Sequence, residues 1–193
     1  QIPAFNDIFT FLAQYPWLGL LVGAVITAML QSSSAVIGIL QGIFAAAALA
    51  GSPIPLFGLV PILFGSNIGT TTTALLACIC GSKESKRVAI FHMFFNTFGS
   101  LLFMGIIYIP PLRAWLINPD NFVGFDPKIL LALVHLVFNS VVACIFLPLL
   151  TPICKLLEII APGTTRTTPS VIIEELDSRI MKEFPAEGLS LAK

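Results

Sequence analysis

Charge is what this sequence lacks most. Between Asp7 and Lys83 there is no Asp, Glu, Lys or Arg, a gap of roughly 75 residues. Over the whole chain only 10% of residues are charged, where soluble domains run near a quarter. A membrane-crossing helix needs about 20 apolar residues, so the gap holds several crossing or membrane-dipping pieces. Two further uncharged stretches, 88–112 and 129–154, are each long enough to cross once. The formal net charge is zero, which leaves no electrostatic footprint for nucleic acid. Cys78, Cys80, Cys144 and Cys154 lack the spacing and the neighbouring His of a zinc site, and they are expected as small buried apolar residues. There is no G-x-S-x-G elbow and no intramembrane acid to orient His92 or His135. Both absences argue against a serine enzyme built on Ser32, Ser33 or Ser34, so no enzyme is expected. The chain begins with Gln1 and has no basic leader or cleavage signal, and it is expected to be a segment or processed product of a longer protein.

What is present reads as membrane helix and interruption. Residues 1–16 are short, mixed and aromatic and suit the membrane interface, with Tyr15 and Trp17 as anchors. Residues 17–50 hold two apolar arms on either side of Gln31-Ser32-Ser33-Ser34, and the Gly and Pro of 51–55 make a turn. Two topologies compete for 17–50: a re-entrant helical hairpin with its tip at depth, or a helix pair joined by a serine-rich outer loop. An outer loop would carry Gly, Pro, Asn or charge. This one carries none, so the hairpin is preferred, and non-helical backbone at that depth requires protein or a water cavity around it. Residues 56–81 are apolar but interrupted by Gly65-Ser66-Asn67-Ile68-Gly69-Thr70-Thr71-Thr72-Thr73. Gly and Thr are poor helix formers, so a broken transmembrane helix is expected there. The basic loop 83–87 (KESKR) is placed in the cytoplasm by the positive-inside rule. Transmembrane helices over 88–109 and 129–154 follow, with an outer loop between them and a cytoplasmic tail or linker over 155–193. The expected fold class is all-α and polytopic, with a re-entrant hairpin and a broken helix in the lipid bilayer.

The two interruptions carry the chemistry. Gln31, Ser32, Ser33 and Ser34 offer an amide and three hydroxyls, which donate to the oxygens of an anion such as phosphate and accept onto sodium. The helix that follows adds free N–H groups and a positive dipole end. Serine runs are common; this one gains weight from lying between apolar arms. The segment 66–73 offers neutral Asn, Thr and carbonyl oxygens suited to a hard cation. Its competing explanation is helix packing through Gly65 and Gly69. Packing has no need of Ser66, Asn67 or the threonines, so an ion site is preferred. His92 with Asn96 and His135 with Asn139 both read H-x-x-F-N, on one helix face each. Interhelical hydrogen bonding is the expected role, with a proton-relay or substrate role left open.

QSSSA followed about 35 residues later by GSNIGTTTT, with H-x-x-F-N after a basic loop, resembles the repeat of the type II sodium-dependent phosphate cotransporters over roughly residues 15–155. In that family two inverted repeats each supply a Gln-Ser-Ser hairpin and a broken helix, with the site between them. The resemblance implies that this chain is a half-transporter, the second repeat of a bacterial-type member. The first repeat would come from the same polypeptide or a partner chain, and the tail after Pro162 resembles a linker to an appended helical domain. It implies phosphate binding by Gln31, Ser32, Ser33, Ser34 and Asn67, and sodium binding by Gln31, Ser66, Asn67, Thr70 and Thr73. An acidic sodium ligand from the first repeat has no matching position here. The implied function is sodium-coupled symport of inorganic phosphate across the plasma membrane by alternating access. Sodium is then a co-transported substrate and no cofactor is expected; a homodimer is left open. The alternatives are symport of another anion, dicarboxylate or sulfate, and a non-transporting membrane anchor.

Overall fold

Seven α-helices and one 3-10 turn make up the described residues, 3–52 and 54–162, in a computed structural model of the chain, with no strand among them. They are α1 (Pro3–Gln14), α2 (Pro16–Leu30), α3 (Ser33–Leu49), α4 (Leu56–Cys78), α5 (Lys83–Ile107), α6 (Pro110–Ile117), the turn Pro119–Phe122 and α7 (Pro127–Ile160). Pro16 sets the first boundary. Its ring pushes the preceding residue out of the helical region, and Tyr15 sits at φ −122°, ψ 66°. The chain therefore bends by 116° between α1 and α2. The second boundary is made by Gln31, whose left-handed backbone (φ 54°, ψ 26°) ends α2. Extended Ser32 then caps α3 by accepting the Ala35 N–H at 3.2 Å, the usual role of serine at that position.

At 1.5 Å rise per residue, the 15 residues of α2 and 17 of α3 extend about 22 and 26 Å, short of a hydrocarbon core of about 30 Å. Helices α4, α5 and α7 are long and apolar enough to cross.

Helix α4 forms the centre: every residue from 56 to 67 is buried. Helix α2 lies along it in parallel. Gly19 meets Pro61, Gly23 meets Ile62, Gly65 meets Leu20 and Ala24, and Gly69 meets Ala24 and Thr27. A Cβ at Gly23 would overlap the Ile62 carbonyl, and one at Gly65 the Leu20 carbonyl, so backbone packs on backbone as small residues allow in membranes. On the other side Phe64 of α4 stacks with Phe138 of α7 (5.0 Å) and meets Phe103 of α5 edge-on (5.6 Å). Ser100 of α5 donates to the Phe64 carbonyl at 2.9 Å. Helix α3 is tied to the start of α7 by Gln41 Nε2, which donates to the Lys128 carbonyl at 2.8 Å.

The structure differs from the expected boundaries in four places. The segment 65–73 does not break: α4 is one helix through Cys78. Its glycines are compensated by contact with α2, and its hydroxyls bond back to carbonyls one turn earlier, so the propensity penalty of up to about 1 kcal/mol per residue is offset. The KESKR loop is instead the first turn of α5, because Ser82 caps it by accepting the Ser85 N–H at 3.2 Å. The region expected as one outer loop contains α6, opened by Pro110 and Pro111 at its first turn. Helix α7 runs on to Ile160 through Pro148 and Pro152, so the start of the expected tail is helical; residues 163–193 of that tail lie outside the described residues. The cysteines are also less covered than expected. All four are free thiols, with Cys80, Cys144 and Cys154 exposed on the chain's own surface and Cys78 half-buried.

Candidate functional site

Two helix ends of opposite polarity meet at Gln31 and Ser32. The Gln31 N–H bonds to the Thr27 carbonyl at 2.7 Å, which leaves the carbonyls of Ala28, Met29 and Leu30 without a backbone partner at the end of α2. The Val36 N–H bonds to the Ser32 carbonyl at 3.3 Å and the Ala35 N–H to Ser32 Oγ. The N–H groups of Ser33 and Ser34 are thereby left open at the start of α3. A cation is favoured on the first set and an anion on the second. Ser32 and Ser33 are half-buried and Gln31 and Ser34 exposed. Ser33 and Ser34 belong to the first turn of α3 rather than to a loop.

The polar face of α4 is arranged differently. Ser66 Oγ and Asn67 Nδ2 both donate to the Leu63 carbonyl, at 2.7 and 3.0 Å. Thr70 Oγ1 donates to the Ser66 carbonyl at 2.9 Å and Thr71 Oγ1 to the Ile68 carbonyl at 2.7 Å. With those protons committed inside the helix, the hydroxyl oxygens have only lone pairs left to offer, which suits a cation. The carbonyls of 65–73, expected to be unwound and free, remain in the helix; the free carbonyls are those ending α2. Asn67 is 5% exposed, and its Oδ1 lies 3.2 Å from His135 Nε2 of α7, a bond that requires the proton on Nε2. Among the described residues no group of three His, Cys, Asp or Glu comes together, so the cation ligands on offer are neutral oxygens.

The parallel register decides which residues meet. Thr27 lies opposite Gly69, and one turn on in each helix brings Gln31 level with Thr73. The tip and the polar face of α4 therefore share a level at Gln31 and Thr73, both of which are exposed. Ser66 and Asn67 lie further back, Asn67 six residues or about 9 Å along α4 from Thr73, and are closed in by His135. The candidate residues thus form two sets within this chain rather than one cluster. In the two H-x-x-F-N copies, Asn96 and Asn139 donate to the carbonyls of His92 and His135 in their own helices, at 3.0 and 2.9 Å. Only His135 makes the expected interhelical bond. The sequence reading passed over Thr27, fully buried with an unpartnered Oγ1; the available signal was a lone hydroxyl in an apolar helix, four residues before Gln31. A cavity of about 340 Å³ lined by Phe44, Ala48, Phe122 and Phe125 lies at the other end of α3, with Asp120 on its wall, and takes no part in this arrangement.

Comparison with known proteins places these motifs in a wider set. A family model described as Na+/Pi-cotransporter matches residues 2–109, from α1 through α5. The chain is 33% identical over 147 residues to YqeW of Bacillus subtilis (strain 168), a protein described as uncharacterized, covering 76% of this chain and 44% of that protein. It is 40% identical over 113 residues to sodium-dependent phosphate transport protein 2C of Homo sapiens, covering 50% of this chain and 16% of that protein. It is 37% identical over 108 residues to sodium-dependent phosphate transport protein 2A of Rattus norvegicus, covering 48% and 15%. The chain thus spans less than half the length of these relatives. No solved structure matches it.

Proposed function

We propose, from the premise that this chain belongs to the Na+/Pi-cotransporter family, that it forms one half of a sodium-coupled symporter of inorganic phosphate. Members of that family transport, and the three long apolar helices make this chain a multi-pass membrane protein. The observation that carries the reading is the meeting of helix ends at Gln31 and Ser32. Open carbonyls ending α2 and open amides starting α3 lie within a few residues of each other, so sodium and phosphate would be held side by side. Gln31, Thr70 and Thr73 would supply sodium with neutral oxygens, and Ser32, Ser33 and Ser34 would supply phosphate with hydroxyl and amide donors. Ser66 and Asn67 would offer a second, buried set of ligands about 9 Å along α4 from Thr73. Coupling has an electrical rationale: one charge moved through 100 mV costs about 2.3 kcal/mol, and two sodium ions cancel a doubly charged phosphate.

The second, inverted half would come from the rest of the same polypeptide or from a partner chain, and the two would exchange access between sides by moving against each other. Trp17, Leu21, Val25 and Met29 of α2 leave an exposed apolar surface for that half or for lipid. Sodium is a co-transported substrate in this scheme. Uptake of radiolabelled phosphate by the intact protein in proteoliposomes tests it. Uptake should require sodium over choline, be competed by phosphate more than by succinate or sulfate, and fall in Ser33→Ala and Asn67→Ala. Uptake indifferent to sodium, or untouched by both substitutions, would remove the proposal.

A further inference from the structure

The buried hydroxyl of Thr27 has no partner. The residue is 0% exposed and its Oγ1 makes no hydrogen bond. Threonine inside a helix ordinarily donates back to a carbonyl one turn earlier, as Thr70 and Thr71 do here. A buried hydroxyl left unpaired is costly and calls for an occupant or a function. Its surroundings restrict what that occupant is. The side chain lies against Gly69 of α4, where the absence of a Cβ brings the two helices together. One turn further along, Gln31 and Thr73 stand at the same level, and the carbonyls of Ala28, Met29 and Leu30 end α2 without backbone partners. Oxygen lone pairs and the negative end of a helix lie at this level, and no Asp, Glu, Lys, Arg or His occurs between Asp7 and Lys83. That is an environment for a small, hard monovalent cation rather than for an anion.

We propose that Thr27 Oγ1 is a ligand of the transported cation, which sits between the last turn of α2 and the Gly69 to Thr73 face of α4. The inference rests on the sodium-coupled reading and adds to it a ligand from the body of α2, outside the Gln-Ser-Ser-Ser motif. It also explains why Thr27 is not bonded to its own helix: the hydroxyl is held ready for an ion.

The test uses the intact protein in proteoliposomes, with sodium titrated at saturating phosphate, and compares wild type with Thr27→Val and Thr27→Ser. Thr27→Val should raise the sodium concentration for half-maximal uptake about tenfold, equivalent to ~1.4 kcal/mol, while Thr27→Ser, which keeps the hydroxyl, stays close to wild type. Thermal unfolding provides the second readout. Without sodium, Thr27→Val should be at least as stable as wild type, because a methyl group replaces an unpartnered hydroxyl; the stabilisation produced by added sodium should shrink. A Thr27→Val protein that keeps the wild-type sodium requirement, or that is less stable without sodium while its sodium response is intact, overturns the ligand role and leaves the symport reading standing. Wild-type uptake that ignores sodium removes the symport reading itself, and the ligand with it.

Discussion

Replacing Gly65 by Ala sets two effects of opposite sign against each other, and the helical Gly38 supplies the control. Alanine in place of glycine in a helix interior is worth about 0.8–1.0 kcal/mol. At Gly38 of α3 nothing lies within 4 Å of an added Cβ, so Gly38→Ala should keep that gain. At Gly65 the new carbon would overlap the Leu20 carbonyl oxygen, with the Leu20 carbonyl carbon 2.7 Å and the Ala24 nitrogen 2.9 Å away. These are backbone atoms in the middle of α2 and no rotamer change moves them. Clearing the Leu20 oxygen to an ordinary separation pushes the helices apart by more than about 1 Å, and a gap of even 0.5–1 Å forfeits roughly a quarter to a half of each contact's attraction. Overpacking of this kind costs about 1–3 kcal/mol. Because the propensity gain is common to both variants, Gly65→Ala should be about 1–3 kcal/mol less stable than Gly38→Ala. For a chain of this size that is ~2–12 °C in unfolding temperature. The displaced helix also carries Ser66 and Asn67, and a shift near 1 Å costs up to ~100-fold in a positioned site. Sodium-driven phosphate uptake should therefore fall at least about tenfold in Gly65→Ala and stay near wild type in Gly38→Ala. Equal unfolding temperatures and equal uptake in the two variants would refute the close parallel packing of α2 on α4.

Three further outcomes follow from single bonds. Ser32→Ala removes the cap on α3 and should cost about 1 kcal/mol, with phosphate half-saturation rising because the first turn frays; Ser32→Thr should retain both properties. His135→Leu leaves Asn67 Oδ1 buried without its donor, at about 1–3 kcal/mol, and should be rescued in thermal unfolding by His135→Gln, whose amide can donate. Ser100→Ala loses the bond to the Phe64 carbonyl, worth about 0.6 kcal/mol in a membrane bundle, and should lower the unfolding temperature slightly with uptake unchanged.

The long spans were legible because their information is local. Long uncharged apolar runs announced spans at α4, α5 and α7, the first of them as an interrupted one, and the polar tip between two short arms announced the boundary at Gln31. Helix ends were less legible where a cap outweighed charge: Ser82 extends α5 back through KESKR, and Pro148 and Pro152 fail to stop α7. The continuity of α4 was hidden for a different reason. Gly and Thr read as breakers by propensity, yet the energies that hold 65–73 helical lie in contact with Leu20 and Ala24, more than 40 residues earlier in the chain. The same parallel contact brings Gln31 level with Thr73 and separates that pair from Asn67 and His135. No periodicity in either segment encodes the register between them, and Thr27 acquires meaning only once that register is known.

The bend at Tyr15 has a consequence for depth. A helix turned by 116° from α2 lies closer to the plane of a bilayer than to its normal when α2 enters steeply. Helix α1 buries Phe9 and Leu12 and leaves Ile8 and Phe11 outward, with Tyr15 exposed at the bend, a pattern that suits a helix lying at the headgroups. It rests on α4 through the Phe9 carbonyl at Gly58. From Gly58 to Asn67 is nine residues, about 14 Å along the axis, or nearly half of a hydrocarbon slab of about 30 Å. An α1 riding the surface would work as a depth gauge and hold the amide of Asn67 near the middle of the membrane.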